Sequence, residues 1–180
     1  YIEQFTSDVT VQVSIASELR YRAFHIPENS IALIVSQSGE TADTLACLQE
    51  LQRRGVRCLG IVNAVGSTIA REVDGGIYLH VGAEISVAST KAFTSQVAAM
   101  LLFGLTMAQA KGVCSQELSS YIRELDALPR EIEKLLAAHT DEMRDLAKKD
   151  SKYEHALYLG RDTLFPIALE GALKLKEISY

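Results

Sequence analysis

Ile31-Ala-Leu-Ile-Val35 runs directly into Ser36-Gln-Ser-Gly-Glu-Thr41. Five consecutive apolar residues, mostly branched aliphatics, are what a strand covered on both faces requires, because neither side can present polar groups to its neighbours. The polar hexapeptide ends that strand. From Glu40 or Thr41 to Arg54 the apolar residues Leu45, Leu48 and Leu51, with Ala42, Ala46 and Cys47 between them, recur at helical spacing. Gly55 stands where a helix closes in the left-handed conformation. Strand, loop and helix then repeat: Cys58-Leu-Gly-Ile-Val62 predicts a second strand, Asn63 to Val65 a loop, Ser67 to Glu72 a short helix and Gly76-Ile-Tyr-Leu79 a third strand. Such alternation implies a parallel sheet with right-handed crossovers and helices on both faces. The expected fold class is α/β, a three-layer αβα sandwich.

Outward from this centre, Val9-Thr-Val-Gln-Val13 alternates like a strand, and Ser17 to Arg20 begins a short helix. Thr90 to Lys111 predicts a long, mostly apolar helix, and Glu117 to Leu128, Pro129 to Ala138 and Asp141 to Lys149 predict three amphipathic ones, with Pro129 in a first helical turn. His155-Ala-Leu-Tyr-Leu159, ending at Gly160-Arg161, predicts a new strand, and Pro166 to Tyr180 its following helix. The pattern therefore restarts near Ser151 as a second copy of the same unit.

The chain has 180 residues, of which 48% are hydrophobic and 23% charged, with a net charge of -5. No basic excess is available for a phosphate backbone, so nucleic acid is not an expected partner. The longest apolar run, Val97 to Ala108, is too short to span a bilayer and reads as a buried helix, so no membrane partner is expected. Cys47, Cys58 and Cys114 are mutually distant in apolar contexts, which predicts reduced core thiols in a cytoplasmic protein. No Cys or His grouping has the spacing of a metal site, and no cofactor motif is present. Tyr1-Ile2-Glu3-Gln4 is no signal peptide, and the absence of an initiator Met together with an uncapped helical pattern at Ser179-Tyr180 reads as a piece of something longer.

Ligands of open parallel sheets bind at the carboxyl ends of the strands, which directs attention to the loops Ser36 to Thr41, Gly82 to Lys91 and Gly160 to Pro166. In the first, Ser36, Ser38 and Thr41 surround Gly39 where a helix presents unpaired N–H groups and the positive end of its dipole, a seat for one phosphate. It lacks the Gly-Lys-Ser/Thr of a nucleotide loop, and helix capping by Ser38 or Thr41 is the plainer role. In the second, Ser89 and Thr90 are N-cap candidates, and Lys91 is placed against the dipole, which hints at a partner carboxylate or ligand. Glu170, Lys174 and Glu177, spaced i, i+4 and i+7, line one helix face bordered by Ala168, Leu169, Leu173 and Ile178. They read either as a solvated ladder or as a cleft suited to proton transfer.

Three segments together carry a resemblance: Ser36-Gln-Ser-Gly-Glu-Thr-Ala-Asp-Thr-Leu45, Ala83-Glu-Ile-Ser-Val-Ala-Ser-Thr-Lys-Ala-Phe-Thr94 and Ala168-Leu-Glu-Gly-Ala-Leu-Lys-Leu-Lys-Glu-Ile-Ser-Tyr180. The first alone marks the sugar isomerase (SIS) fold. With the others, the chain from about Val9 onward resembles the isomerase part of the glutamine-fructose-6-phosphate aminotransferase (isomerizing) family, the glucosamine-6-phosphate synthases. The resemblance implies a glutaminase joined to two SIS subdomains that make glucosamine-6-phosphate from fructose-6-phosphate and glutamine. Residues 1–150 would be the first subdomain with a helical connector, and 151–180 the opening strand and helix of the second. It implies that Ser36, Gln37, Ser38 and Thr41 bind the sugar phosphate, and that Ser89 and the backbone near Val87 contact the sugar. Glu177 would be the base moving a proton between C1 and C2, assisted by Lys174, with Glu170 nearby.

The family's glutaminase cysteine, an upstream Ser/Thr loop, a ring-opening His and a Schiff-base Lys have no counterparts among these residues, so the chain alone is not expected to complete the reaction. Asp162 follows Gly160-Arg161 where the family leads one to expect Gly. The expected partners are a sugar phosphate, a glutaminase domain and a second copy of the chain covering the apolar last helix. The alternative from another class is a sugar-phosphate-sensing SIS module without chemistry, which has no use for Glu170, Lys174 and Glu177.

Overall fold

The computed structural model describes residues 2–179 and, at Ser115, the backbone alone. Tyr1 and Tyr180, where the expected domains begin and end, lie outside the described residues. The chain divides into two compact units, Tyr1–Val113 and Cys114–Tyr180.

The first unit opens with two short helices, α1 (Ile2–Phe5) and α2 (Ala16–Leu19), followed by β1 (Ile31–Ser36), α3 (Ala42–Arg53), β2 (Arg57–Val62), α4 (Thr68–Glu72), β3 (Gly75–Tyr78) and α5 (Thr90–Ala110). The strands form one parallel sheet in the order β1-β2-β3. Leu48 and Leu51 of α3 and Ile69 of α4 close over Ile34, Cys58 and Val62 of the sheet, with Phe24, Ile26 and Val73 around them. Ile61 points to the opposite sheet face and is only 1% exposed, so β2 is covered on both sides. Burying each of Leu48, Ile61 and Ile69 contributes about 1.5–3 kcal/mol. The α/β expectation is met, and β1, α3, β2, α4 and β3 fall within a residue or two of their predicted positions.

Two predicted strands do not form. Over Val9 to Val13 no strand lies alongside among the described residues. The Val11 N–H donates instead to the Glu3 carboxylate at 2.7 Å, and Val13 is exposed. His155 to Leu159 likewise lacks a ladder partner among the described residues, and Leu157 and Leu159 face solvent. Alternation permits a strand, but the hydrogen-bonding groups of a second strand are needed to make one.

The second unit holds α6 (Ser115–Asp150), a 3-10 turn at Asp162–Leu164 and α7 (Phe165–Ile178). One continuous helix replaces the three predicted between Glu117 and Lys149. Pro129 stands inside it rather than in a first turn, and the i,i+3 pairs Glu131–Lys134, Asp141–Arg144 and Asp145–Lys148 run along the exposed surface past the other predicted break. Two further corrections concern apolar residues. The run Val97 to Ala108 belongs to the 21-residue α5, which is long and apolar enough to cross a bilayer by length and composition, although Ala92, Ala99, Gly104, Leu105 and Ala108 are buried in the fold. Cys47 and Cys58 are buried, but Cys114 is exposed at the N-cap of α6 and is no core thiol.

Candidate functional site

Ser36 pairs with Val62, and Val62 with Tyr78, so the strands end level and their loops leave the same edge of the sheet. The Ser36 hydroxyl is turned inward, is buried, and accepts the Gly39 N–H at 3.0 Å. It braces a turn that Gly39 makes possible, with φ of +66°. A Cβ at Gly39 would lie 1.9 Å from the Ser67 Oγ, so the β2–α4 loop fills the inside of the turn. The Ile69 N–H donates to the Gly39 carbonyl at 3.0 Å, and the Ala64 N–H to the Gln37 carbonyl at 3.2 Å.

The outer side of the turn is different. Ser38 and Thr41 are exposed, with their hydroxyls 3.5 Å apart. Thr41 occupies the N-cap of α3 but its side chain makes no capping bond, so the plainer role is not filled. The Ser38 Oγ accepts the Glu40 N–H at 3.2 Å. Two hydroxyls thus converge beside the positive end of a twelve-residue helix. Asp43, the acid in that first turn, is engaged by Arg20 at 2.8 Å. The Gln37 Oε1 is buried without a hydrogen-bond partner among the described residues.

The loop after β3 has its own brace. Ser89 holds a left-handed φ of +53° at the N-cap of α5, yet caps nothing with its side chain. That role falls to Glu84, whose Oε2 accepts the Ala92 N–H at 3.1 Å and lies 3.5 Å from the Ser89 hydroxyl. Val87 is exposed beside it. No carboxylate pairs with Lys91 among the described residues, so the carboxylate partner hinted at by its position is not found there. Glu40 makes the counterpart bond on the first loop: its Oε1 accepts the Thr68 N–H of α4 at 2.8 Å, which holds the carboxyl below its ordinary range. Sequence reasoning missed both glutamates. Neither stands at capping-box spacing from the helix it caps, so no local pattern could have revealed them.

In the second unit, the Lys174 Nζ lies 3.2 Å from Glu170 Oε1 and 3.0 Å from Glu177 Oε2. The side chains of Lys174, Glu170 and Glu177 are 21%, 24% and 32% exposed, so Lys174 and Glu170 are partly covered while Glu177 lies at the surface. The bond to Glu177, reinforced by Glu170, pushes the Lys174 ammonium up, so it stays charged. Glycine on the same helix lets the preceding chain approach: a Cβ at Gly171 would lie 2.9 Å from Tyr158. Asp162 takes a left-handed φ of +54°, a conformation in which glycine would be unstrained.

The fold therefore gathers Ser36, Gln37, Ser38 and Thr41 in one turn, sends Val87 and Ser89 from the same sheet edge, and assembles Glu170, Lys174 and Glu177 as an ion triad on α7. An open cavity of about 590 Å³, lined by His25, Asn29, Ser30 and Arg54 among others, lies at the amino ends of β1 and β2, opposite these loops.

The SIS domain family matches residues 4–105. The chain is 44% identical over 179 residues to a glutamine–fructose-6-phosphate aminotransferase (isomerizing) of Chlorobaculum tepidum, covering 99% of this chain and 29% of that protein. It is 46% identical over 180 residues to the protein of that name from Bacteroides thetaiotaomicron, with the same shares. Among solved structures, the C-terminal domain of glucosamine-fructose-6-phosphate aminotransferase from Francisella tularensis superposes with a TM-score of 0.94 at 40% identity, over 99% of this chain and 51% of that one. The chain thus spans less than a third of the curated relatives it matches. Sheet, loops and matched sequence agree, and the chain belongs to the SIS domain family.

Proposed function

We propose that this chain is the sugar-phosphate isomerase portion of a glutamine–fructose-6-phosphate aminotransferase, binding fructose-6-phosphate and supporting ketose-to-aldose isomerisation during amination. The observation that carries the reading is the uncapped turn at Ser38 and Thr41, where two hydroxyls meet a helix amino end that no side chain of its own occupies. One phosphate ester fits those donors. Ser38 and Thr41 donate hydroxyl bonds and the first-turn amides of α3 donate N–H bonds, while Ser36 keeps the turn in shape and the Gln37 side-chain NH2 is a further donor. Ser89 and the backbone at Val87 contact the sugar hydroxyls.

Glu177 is the base that carries the proton between C1 and C2, with Lys174 holding it in place and Glu170 completing the triad. A carboxylate suffices because a C–H next to an iminium nitrogen is acidified by that positive charge. The ion triad supports this assignment over a sensing module, which has no need of a held ammonium between two carboxylates. On this reading residues 151–180 open a second SIS subdomain. A glutaminase domain is a partner, a second copy covers the exposed Ile167, Leu169 and Leu173 of α7, and the protein is cytoplasmic.

The test is proton exchange at C1 of fructose-6-phosphate in the full-length protein. Glu177→Gln is expected to slow exchange by about 100-fold or more, the usual worth of a general base, with sugar-phosphate binding retained. Unchanged exchange would remove Glu177 from the chemistry and favour the sensing module.

A further inference from the structure

The side chain of Asn63, the first residue after β2, makes no bond to the turn at Ser36 to Thr41 or to the ion triad, yet it holds the loop that carries Val87 and Ser89. Its Oδ1 accepts the Val81 N–H at 3.0 Å and its Nδ2 donates to the Gly82 carbonyl at 3.1 Å. The orientation of the amide is fixed by chemistry, since a backbone N–H can only donate and a carbonyl can only accept. Both ends of one side chain are spent on consecutive residues at the root of the loop after β3.

That root needs holding. The chain leaves β3 with Leu79 still bonded to Val62, then takes left-handed conformations at His80, φ +53°, and at Gly82, φ +68°. A non-glycine residue in that region is disfavoured unless its surroundings impose it. Beyond the root, the loop bends on its own bonds, Ala88 N–H to Ser86 Oγ at 3.2 Å and Ser89 N–H to the Ser86 carbonyl at 3.1 Å. Glu84 anchors its far end to α5. Asn63 is therefore the near-end counterpart of Glu84. Its own N–H meanwhile donates to the Ser36 carbonyl at 3.4 Å, and that backbone bond survives any side-chain substitution.

We propose that Asn63 is a positioning residue for sugar recognition: its side-chain amide sets the place of Ser89 and Val87 against the sugar ring while leaving the phosphate seat untouched. The inference rests on the reading that Ser38 and Thr41, on the turn that Ser36 braces, bind phosphate and that Ser89 and Val87 contact the sugar. It adds that recognition of the two halves of the ligand is separable at one side chain. An aspartate there keeps the acceptor for Val81, loses the donor for Gly82 and brings a negative charge toward an anionic ligand.

The test uses the full-length protein with two probes, fructose-6-phosphate and inorganic phosphate, titrated by calorimetry into wild type, Asn63→Ala and Asn63→Asp. Asn63→Ala is expected to weaken fructose-6-phosphate about tenfold, the order set by two lost neutral hydrogen bonds, and to leave inorganic phosphate within twofold. In turnover, KM for fructose-6-phosphate rises by that factor while the inhibition constant of inorganic phosphate stays fixed, a split that general destabilisation would not produce. Amide exchange supplies a readout independent of ligand: Val81 N–H loses protection in Asn63→Ala and keeps it in Asn63→Asp. In Asn63→Ala, which adds no charge, equal weakening of both probes, or no weakening of either, overturns the role of Asn63 and leaves the site reading standing. Failure of the wild type to bind either probe overturns the site reading, and the inference with it.

Discussion

Gly39 shows how much of the candidate site depends on one missing side chain. Its left-handed φ and the 1.9 Å between the ideal Cβ position and Ser67 Oγ act together. Gly39→Ala is expected to destabilise the protein by about 2–4 kcal/mol, the sum of a left-handed alanine and an overpacked contact. Urea unfolding would check it, and a loss under about 1 kcal/mol would mean that Ser67 yields freely. The Ser-x-Ser-Gly pattern was readable at this scale because glycine and hydroxyl residues at a strand end carry local meaning. What the pattern could not say is how the hydroxyls divide their work. Ser36 turns inward as a brace and Ser38 with Thr41 faces out, and that division depends on Ser67 packed inside the turn and on the bond from the Thr68 N–H to Glu40, 28 positions away in sequence.

At the scale of elements, α3 is tied at its carboxyl end by Glu50, which accepts from Arg53 Nε and Arg54 Nε at 2.7 Å each. Those two guanidinium groups, Arg53 first, hold the Glu50 carboxyl down from its ordinary 4.5 to about 2. A carboxyl depressed by folding contributes stability above its unfolded value, and that contribution is lost as pH falls toward the folded one. The stability difference between wild type and Glu50→Gln should therefore be constant from pH 7 to about 5, shrink between 4.5 and 2, and vanish below, as followed by urea unfolding across pH. A difference independent of pH would show that the pairs add nothing. Helical periodicity made α3 and α5 legible, since their apolar stripes are long. The strands expected at Val9 and His155 were misread because pairing is a property of two segments, and α6 was misread because Pro129 marks an N-terminus only statistically.

At the scale of the whole molecule, the level ends of β1, β2 and β3 concentrate the first unit's candidate contacts on one edge, while that unit's core lies behind them under α3 and α4. A ligand seated there binds the folded chain and not the unfolded one. Fructose-6-phosphate at 100 times its dissociation constant is expected to add about 2.7 kcal/mol to stability, read as a rise in melting temperature of the full-length protein. Ser38→Ala combined with Thr41→Val should abolish that rise, and a rise that survives both substitutions would place the ligand elsewhere. The α/β class, the sheet edge and the hydroxyl-rich turn at Ser36 to Thr41 were all available from periodicity and spacing. The bonds between loops were not, because no sequence pattern records which glutamate or asparagine reaches which amide.

The solvent-facing sulfur at Cys114, set against the buried sulfurs of Cys47 and Cys58, gives these residues one chemical handle. A maleimide dye should attach once per folded copy of this stretch and three times after denaturation, so the ratio of labels counts molecules that have lost their interior, with no engineered mutation required.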